Sequence, residues 1–488
     1  MSPRSEPVPG TVVVVSDVHV SERSPGSARA FTGFLGGPAL RGASRLVLLG
    51  DLFDAWFGSA MARMPFYRGV LEAILEVARR GVAVTFVAGN RDFLFDAATA
   101  RAFGVEAAAG DELPVEAFSR RTLLLHGDTL CTADLAYQRL RRVVRSAPAR
   151  FLSRVLPHGA LQAAARSLRR RSVAAVSGKP PRVLEISRDA AVAAIRRHGA
   201  RDLVCGHVHE AAVRSLGTVD GDAPFLYTLG SWSGRGGTYA VLGPSGPRLV
   251  RHAAPAASSE ASAVGNEARD GRAGPIVTLD GPAGSGKSTI ARELARRLGF
   301  RYLDSGALYR AVTWSVLRDG ADLSDDAAVA AAVTKLRVEM RDGSHVSLDG
   351  EDVTSRLRDA DVTRHVSRVS EIAAVRDHLL PVQRAQGREG RLVAEGRDMG
   401  SVVFPEAERK IYLDASLEER AARRRAELVG RGAAVPIEQV IADVRRRDEW
   451  DSTRRTAPLR RGDDFITIDT TGLTRERVIE VLLDVVRG

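Results

Sequence analysis

Cysteine is almost missing from this chain: Cys131 and Cys205 are the two among 488 residues. Two thiols cannot build a disulfide framework or a cysteine-ligated zinc site, and they suit a reducing compartment. Lysine is nearly as scarce. Lys179, Lys287, Lys335 and Lys410 are the four, against 67 arginines. So general a bias reflects overall composition more than function, which makes the net charge of +11 a poor argument for nucleic-acid binding. No specific nucleic-acid partner is expected. Long apolar runs are absent as well. No uncharged stretch approaches the ~18 residues of a membrane helix, and the opening MSPRSEPVPG lacks the apolar core of a signal peptide. The expected compartment is the cytoplasm.

What remains is the balance of a globular protein, 44% hydrophobic and 27% charged. At roughly 150 residues per domain the length suggests about three units, or two large ones. From about Ala253 to Gly274 the chain reads AAPAASSEASAVGNEARDGRAG, small and polar with no sustained apolar period. Such composition does not repay the entropy of ordering and reads as a flexible tether. Apolar runs that end in polar residues restart on each side, at TVVVVSDVH (Thr11 to His19) and PIVTLDGPAGSGKST (Pro275 to Thr289). Each reads as a first strand delivering a site at its carboxyl end. There is no internal repeat, so two different domains are expected over 1–252 and 275–488, with 253–274 as linker.

In the first half, polar residues follow one apolar run after another. VVVVSDVH carries Asp17 and His19, RLVLLGDLFD carries Asp51, AVTFVAGNRD carries Asn90, TLLLHGD carries His126, and DLVCGHVH carries His207 and His209. An Asp-x-His pair places both side chains on one side of an extended chain, able to hold one ion. Carboxylate, amide and imidazole donors without thiolate suit Mn²⁺, Fe or Mg²⁺ better than structural zinc. Any one fragment alone is an ordinary turn; the ordered set predicts a metal centre with its ligands converging on one face of a sheet.

Asp-x-His, Gly-Asp, Gly-Asn-x-Asp, His-Gly-Asp and Gly-His-x-His together resemble the calcineurin-like metallophosphoesterases. The resemblance implies an α/β sandwich and two metals about 3.5 to 4 Å apart, sharing one carboxylate, that activate hydroxide for attack on phosphorus. It gives the shared role to Asp51. Asp17, His19 and His209 would complete one shell, and Asn90, His126 and His207 the other. Arg91 stands where many members carry a proton-donating His, and its guanidinium favours electrostatic binding of phosphate oxygens instead.

The stretches GDLFDAWFG, GNRDFL and LLLHGDTLCTADLAYQRLRR resemble more closely the UDP-2,3-diacylglucosamine pyrophosphatases of lipid A synthesis. From Arg139 to Arg182 there are twelve Arg or Lys and no Asp or Glu, interleaved with Phe151, Leu152, Val155, Leu156, Leu161 and Leu168. Apolar residues at helical spacing beside an arginine face are expected of helices on an anionic membrane surface. The resemblance makes this insertion, about 137–182, a helical lid over acyl chains. It implies substrate contacts at Asp128, Ser172 and Lys179, while Val176 replaces an Asn of that pattern. Such a half would release a lipid monophosphate and UMP at the inner membrane surface. A phosphodiesterase for another nucleotide or diphosphate compound is the alternative.

In the second half, Gly281-Pro-Ala-Gly284-Ser285-Gly286-Lys287-Ser288 fits G-x-x-x-x-G-K-[ST] between a strand and TIARELARRLG, which opens at Thr289. The glycines let backbone N–H groups face phosphates, Lys287 reaches the β- and γ-phosphates, and Ser288 can ligate the Mg²⁺ of ATP. FRYLDSGALYRAVTW and LVAEGRDMGSVVFPEAERKIYLDAS resemble bacterial cytidylate kinases, an α/β P-loop fold with a parallel sheet. That likeness runs from about Pro275 onward. It implies CMP or dCMP contacts at Ser305, Tyr309, Arg310, Ser370, Arg376, Arg397, Asp398 and Arg454, with Arg447 on the phosphates. The interval from Ser370 to Arg376 is about three residues shorter than the family's pattern. EERAARRRAELVGRG reads as a lid helix with Arg420, Arg423 and Arg424 as donors. A fusion of two enzymes is expected; a kinase for another small acceptor and a scaffold with a dead site are the competing classes.

Overall fold

A computed structural model describes residues 10–146, 148, 185–254, 274–430, 432, 435–454 and 456–487. The described residues through 254 form one compact unit and those from 274 form another.

The strands of the first unit are β1 (Val12–Val15), β2 (Arg45–Leu49), β3 (Ala83–Val87), β4 (Val105–Ala107), β5 (Glu112–Ala117), β6 (Arg120–Leu125), β7 (Asp202–Cys205), β8 (Ala212–Ser215), β9 (Phe225–Thr228), β10 (Gly236–Gly243) and β11 (Gly246–Ala253). All four valines of β1 are buried, as suits a strand covered on both faces. One sheet has the order β11-β10-β1-β2-β3-β4 and the other β8-β9-β7-β6-β5. The expectation of a single sheet face is therefore corrected. Asp17, Asp51 and Asn90 follow β1, β2 and β3, whereas His126 and His207 follow β6 and β7, which pair with each other in the second sheet. Apolar runs mark strands but not their partners, so the sequence could not separate the two layers.

Helices α1 (Pro25–Gly36) and α2 (Pro65–Arg79) connect β1 to β2 and β2 to β3, and both start with the proline that suits a first turn. α2 buries Val70, Leu71, Ile74 and Val77, a helical stripe. From α1, the Phe34 ring lies 5.2 Å from Trp232 and 4.9 Å from Tyr239. Trp56 and Phe53 meet at 4.5 Å behind the Asp51 loop. Each such side chain contributes about 1.5–3 kcal/mol by its burial. α3 (Ala97–Ala102) and α4 (Leu135–Val144) follow, and α5 (Arg188–His198) packs Ala191, Ala194 and Ile195 on the second sheet.

The second unit contains β12 (Ile276–Asp280), β13 (Arg301–Asp304), β14 (Val338–Arg341), β15 (His345–Leu348), β16 (Glu351–Asp352), β17 (Leu392–Glu395), β18 (Arg409–Asp414) and β19 (Ile466–Asp469). Its main sheet is parallel in the order β13-β17-β12-β18-β19, and β14-β15-β16 form a small antiparallel sheet. The helices are α6 (Lys287–Leu298), α7 (Ser305–Arg318), α8 (Asp326–Val333), α9 (Ala360–Val369), α10 (Ala373–Gln386), α11 (Leu417–Val429), α12 (Ile437–Thr453) and α13 (Arg475–Arg487). β12 lies between β17 and β18, so the loops after these strands meet at one carboxyl edge, where open α/β sheets bind ligands. Among the described residues, no helix is long and apolar enough to cross a membrane.

Candidate active sites

Five of the seven expected metal ligands carry left-handed backbone. Asp17, His19, Asp51, His207 and His209 have φ of 54, 52, 51, 71 and 58°. Such conformations cost non-glycine residues about 1–3 kcal/mol each and persist where the surroundings impose them, typically at functional sites. The turns are also packed backbone to backbone. A Cβ on Gly206 would lie 2.0 Å from Ser16 Oγ and 2.1 Å from Asp17 Oδ2. Gly206→Ala must displace the Asp17 carboxylate, and a displacement near 1 Å costs catalysis about 10²-fold. We expect that loss in divalent-metal-supported hydrolysis of bis(p-nitrophenyl) phosphate, with CMP phosphorylation unchanged as the control.

The side chains converge in two overlapping groups. His209 Nε2 lies 3.4 Å and His19 Nε2 3.7 Å from Asp17 Oδ1, and the two imidazole nitrogens are 2.9 Å apart. His126 Nε2 lies 3.6 Å from Asp51 Oδ1 and 2.9 Å from the Asn90 side-chain amide. The candidate ligand atoms of Asp17, His19 and His209 fall within 4.8 Å of one another, as do those of Asp17, Asp51 and His126. Asp17 thus contributes to both groups, a position the resemblance gave to Asp51. The His207 ring sits 5.2 Å from that of His126, and its backbone N–H donates to Asp17 Oδ2. His126 Nδ1 donates to the Leu49 carbonyl, which orients the ring with Nε2 toward the centre.

These residues fit divalent cations. Asp17 Oδ1 is buried with no hydrogen-bond partner. Burial, reinforced by the charge of Arg91, holds His19 down at about 3; burial and His126 hold His207 at about 4. Neutral imidazole is the form that ligates a metal. Burial opposes ionisation of Asp17, but the His209 imidazole 3.4 Å away and the charges of His126 and His19 hold it below the usual carboxylate range. Burial pushes Asp51 up to about 7, with Asp92 and Asp17 adding and His126 and Arg91 opposing. Burial would lower His126, yet the carboxylates of Asp51, Asp17 and Asp128 outweigh it and raise the ring to about 9. Crowded buried carboxylates of this kind call for positive charge.

The role of Asp92, the last residue of Gly-Asn-x-Asp, was not assigned by the motif. Asp92 accepts backbone N–H bonds from Asp51, Leu52 and Gly89 at 3.3, 2.7 and 2.9 Å, tying the Asp51 loop to the Asn90 loop. Arg91 stands beside the ligands, with Nε 3.2 Å from Asp51 Oδ2 and Nη1 2.7 Å from Asp54 Oδ1. Asp128 is only 2% exposed and accepts from Tyr137 Oη and Arg141 Nε at 2.6 and 2.8 Å. Its carboxylate braces α4 through these two bonds. Ser172, Lys179 and Val176 lie outside the described residues, as do 149–182 of the insertion and 255–273 of the tether.

In the second unit the phosphate loop has Gly281, Gly284 and Gly286 at φ of 150, 77 and 87°. A Cβ on Gly281 would meet the Leu413 carbonyl at 2.1 Å, so only glycine fits there. Lys287 folds over the loop, Nζ donating to the Pro282 carbonyl at 2.7 Å and lying 3.4 Å from Ser285 Oγ. Burial, then the charge of Arg397, holds Lys287 well below its ordinary range. Ser288 and Thr289 are exposed in the first turn of α6.

The expected acceptor residues gather beside this loop. Arg376 pairs with Asp398, covers the Tyr309 ring at 5.4 Å and donates to the Ser370 carbonyl at 3.1 Å. Ser305 Oγ donates to the Glu395 carbonyl at 2.7 Å, and Arg310 Nη1 to Thr363 Oγ1 at 3.0 Å. Arg397 Nε donates to Asp451 Oδ2 at 3.0 Å, and Arg454 Nη1 lies 3.7 Å from Asp451 Oδ1. Asp451 thereby links two expected ligand arginines, a role hidden inside the charge-rich RRRDEWDSTRR. Arg447 Nε is buried without a partner. Burial and then the charges of Arg397, Arg310 and Arg424, against Asp451, bring Arg447 down to about 10. Guanidinium groups that repel one another in a buried cluster form a place for an anion. Arg420 and Arg423 anchor α11 on the loop through the Ala283 and Ser285 carbonyls at 3.2 and 3.3 Å, while Arg424 pairs with Glu427. Ser370 Oγ donates to the carbonyl of Ser367, one helical turn earlier.

The two centres define a P-loop phosphotransferase in the second unit and a metal-dependent phosphoesterase in the first. Residues 277–488 match the family model of cytidylate kinase and residues 10–211 that of calcineurin-like phosphoesterases. The cytidylate kinase of Mycolicibacterium paratuberculosis is 48% identical over 216 residues, covering 43% of this chain and 95% of its own length. That of Rhodococcus opacus is 50% identical over 215 residues, 43% of this chain and 94% of its own. A bifunctional pantoate ligase/cytidylate kinase of Synechococcus sp. is 45% identical over 218 residues, 44% of each chain. The chain belongs to the cytidylate kinase family through its second unit. It is an enzyme in which that kinase is fused to a calcineurin-like phosphoesterase domain.

Proposed function

We propose that the first unit hydrolyses UDP-2,3-diacylglucosamine to the lipid monophosphate and UMP, and that the second transfers a phosphoryl group from Mg²⁺-ATP to CMP or dCMP. The donor set at the ends of β1, β2, β3, β6 and β7, with Arg91 beside it, carries the first reading. Asp17, His19 and His209 would hold one divalent ion and Asn90, His126 and His207 a second, with Asp51 beside His126 as the shared carboxylate the resemblance implies and Asp17 within reach of both groups; Mn²⁺ is the favoured metal, with Fe or Mg²⁺ as substitutes. When bound, the ions polarise phosphoryl oxygens and neutralise developing charge. Arg91, braced by Asp54, offers its guanidinium fork to the diphosphate. Ser172 and Lys179 contact the sugar, and the arginine-rich insertion rests on an anionic membrane surface where the acyl chains reside.

In the second unit Gly281, Gly284, Ser285, Gly286 and Thr289 line the ATP phosphates, Lys287 reaches between them, Ser288 ligates Mg²⁺, and Arg447 neutralises the transferring group. Ser305, Tyr309, Arg310, Arg376, Arg397, Asp398 and Arg454 hold the acceptor. For the cytosine edge we favour Ser367 over Ser370. It lies nine residues before Arg376 instead of six, which restores the family interval, and Ser370 follows it three residues on, just past the end of α9.

Hydrolysis by the full chain with Mn²⁺ tests the lipid reading. Binding of remote acyl chains should favour UDP-2,3-diacylglucosamine over UDP-N-acetylglucosamine, a cyclic nucleotide and a dinucleotide by at least about 100-fold in kcat/KM, with UMP released. Equal rates across the panel would overturn the lipid assignment and leave a phosphodiesterase of another specificity.

A further inference from the structure

The carboxylate just before the phosphate loop does not face that loop. Asp280 ends β12, is 1% exposed, and accepts two backbone N–H bonds, from Met399 to Oδ1 at 2.8 Å and from Gly400 to Oδ2 at 2.7 Å. Those donors open a π-helical turn, Met399–Val403, in which Val403 and Phe404 donate five residues back to the carbonyls of Asp398 and Met399. The first N–H groups of any helical turn have no partner within it, and π turns of this kind are uncommon and concentrate at functional sites. Here the missing acceptor arrives from a strand more than a hundred residues earlier in the chain.

The turn lies flat on β12. A Cβ on Gly400 would meet Thr278 Oγ1 and Phe465 at 2.7 Å, and Gly396, just after β17, donates to the Leu279 carbonyl at 3.0 Å. Between Gly396 and the turn stand only Arg397 and Asp398, which reach Asp451 and Arg376 respectively. Their backbone is therefore pinned at one end by β12 itself and at the other by the Asp280 carboxylate.

We propose that Asp280 is a positioning residue for the acceptor nucleotide: from the strand that carries the ATP loop, it fixes the turn that aims Arg397 and Asp398. The proposal rests on the reading that these two residues hold the acceptor. Asparagine at 280 keeps the shape but offers one acceptor and one donor. One backbone N–H then loses its partner and faces an NH₂ group, so the turn lifts. A buried donor left unpaired is costly enough to shift binding by about tenfold.

The test uses the full chain, with steady-state kinetics for both substrates and hydrogen exchange of the backbone. Asp280→Asn is expected to raise the KM for CMP at least about tenfold and leave the KM for ATP within about twofold, with faster exchange at Met399 and Gly400. Gly400→Ala lifts the same turn without touching the carboxylate and should give the same selective rise. Asp398→Asn is the reference. If it raises the KM for CMP while Asp280→Asn and Gly400→Ala do not, or if they raise both KM values together, the positioning role of Asp280 is overturned. If Asp398→Asn leaves the KM for CMP unchanged, the acceptor-site reading itself falls.

Discussion

Asp51→Asn is expected to remove metal-supported phosphoester hydrolysis, by about 10³-fold or more, and to leave CMP phosphorylation within about twofold. The loss should exceed the 10–100-fold that follows from disturbing only a ligand's hydrogen-bond partner, because Asp51 is itself the carboxylate against His126. The substitution should not unfold the domain. Asn keeps an oxygen for the Arg91 backbone N–H, which Asp51 Oδ1 accepts at 2.9 Å. It also removes a carboxylate whose ionisation burial disfavours. Asp51 sits at about 7 in the folded chain against 3.8 when unfolded, so the metal-free native state binds that proton more tightly and loses stability as pH rises from 3.8 to about 7. In chelator above pH 7, Asp51→Asn should therefore melt no lower than the parent in a thermal scan. A variant that melts as high but hydrolyses nothing separates a lost ligand from a lost fold. Loss of both activities would contradict independent centres.

Lys287→Ala should do the converse, lowering CMP phosphorylation by about 10³-fold with hydrolysis unaffected, since phosphoryl transfer depends almost wholly on positioning and charge neutralisation. Lys287→Arg is not expected to rescue. The ammonium is buried 2.7 Å from the Pro282 carbonyl, within a loop also held by Arg420 and Arg423. A planar fork does not occupy the place of a compact point charge. One of only four lysines in a chain with 67 arginines stands here, in keeping with that requirement. Coupled product formation with ATP and CMP measures both variants, and recovery of more than a tenth of the activity in Lys287→Arg would contradict this account of the loop.

Much of both centres was legible because the metal ligands and the phosphate loop mostly close an apolar run: a strand delivers them, and the strand has a pattern. Asp17, Asp51, Asn90, His126, His207 and the Gly281–Ser288 loop are all of this kind. What stayed hidden depends on partners distant in sequence. The division of the first unit into two sheets is a matter of which strand pairs with which, and hydrophobic period does not encode it. Asp92, Asp54, Asp280 and Asp451 stand inside or beside the motifs, but the motifs give them no role. Their work shows only when Asp92 is seen to bind the Asp51 loop, Asp280 the 399–400 turn, and Asp451 an arginine 54 residues away. The left-handed backbone at five ligands is equally invisible, because Asp and His tolerate it without being required by it. Length alone allowed about three units or two large ones, and the described residues form two.

The claim that two separate catalytic centres share one chain is tested most directly by running both reactions in one vessel. With the unmodified full-length protein, initial rates of CDP formation from ATP and CMP and of bis(p-nitrophenyl) phosphate hydrolysis are recorded singly and together, with Mg²⁺ and Mn²⁺ present throughout. The account predicts that each rate is the same alone and in company. A fall of either rate by more than about twofold when the other centre is saturated, beyond the factor a small shared loss of free metal would produce, would contradict it.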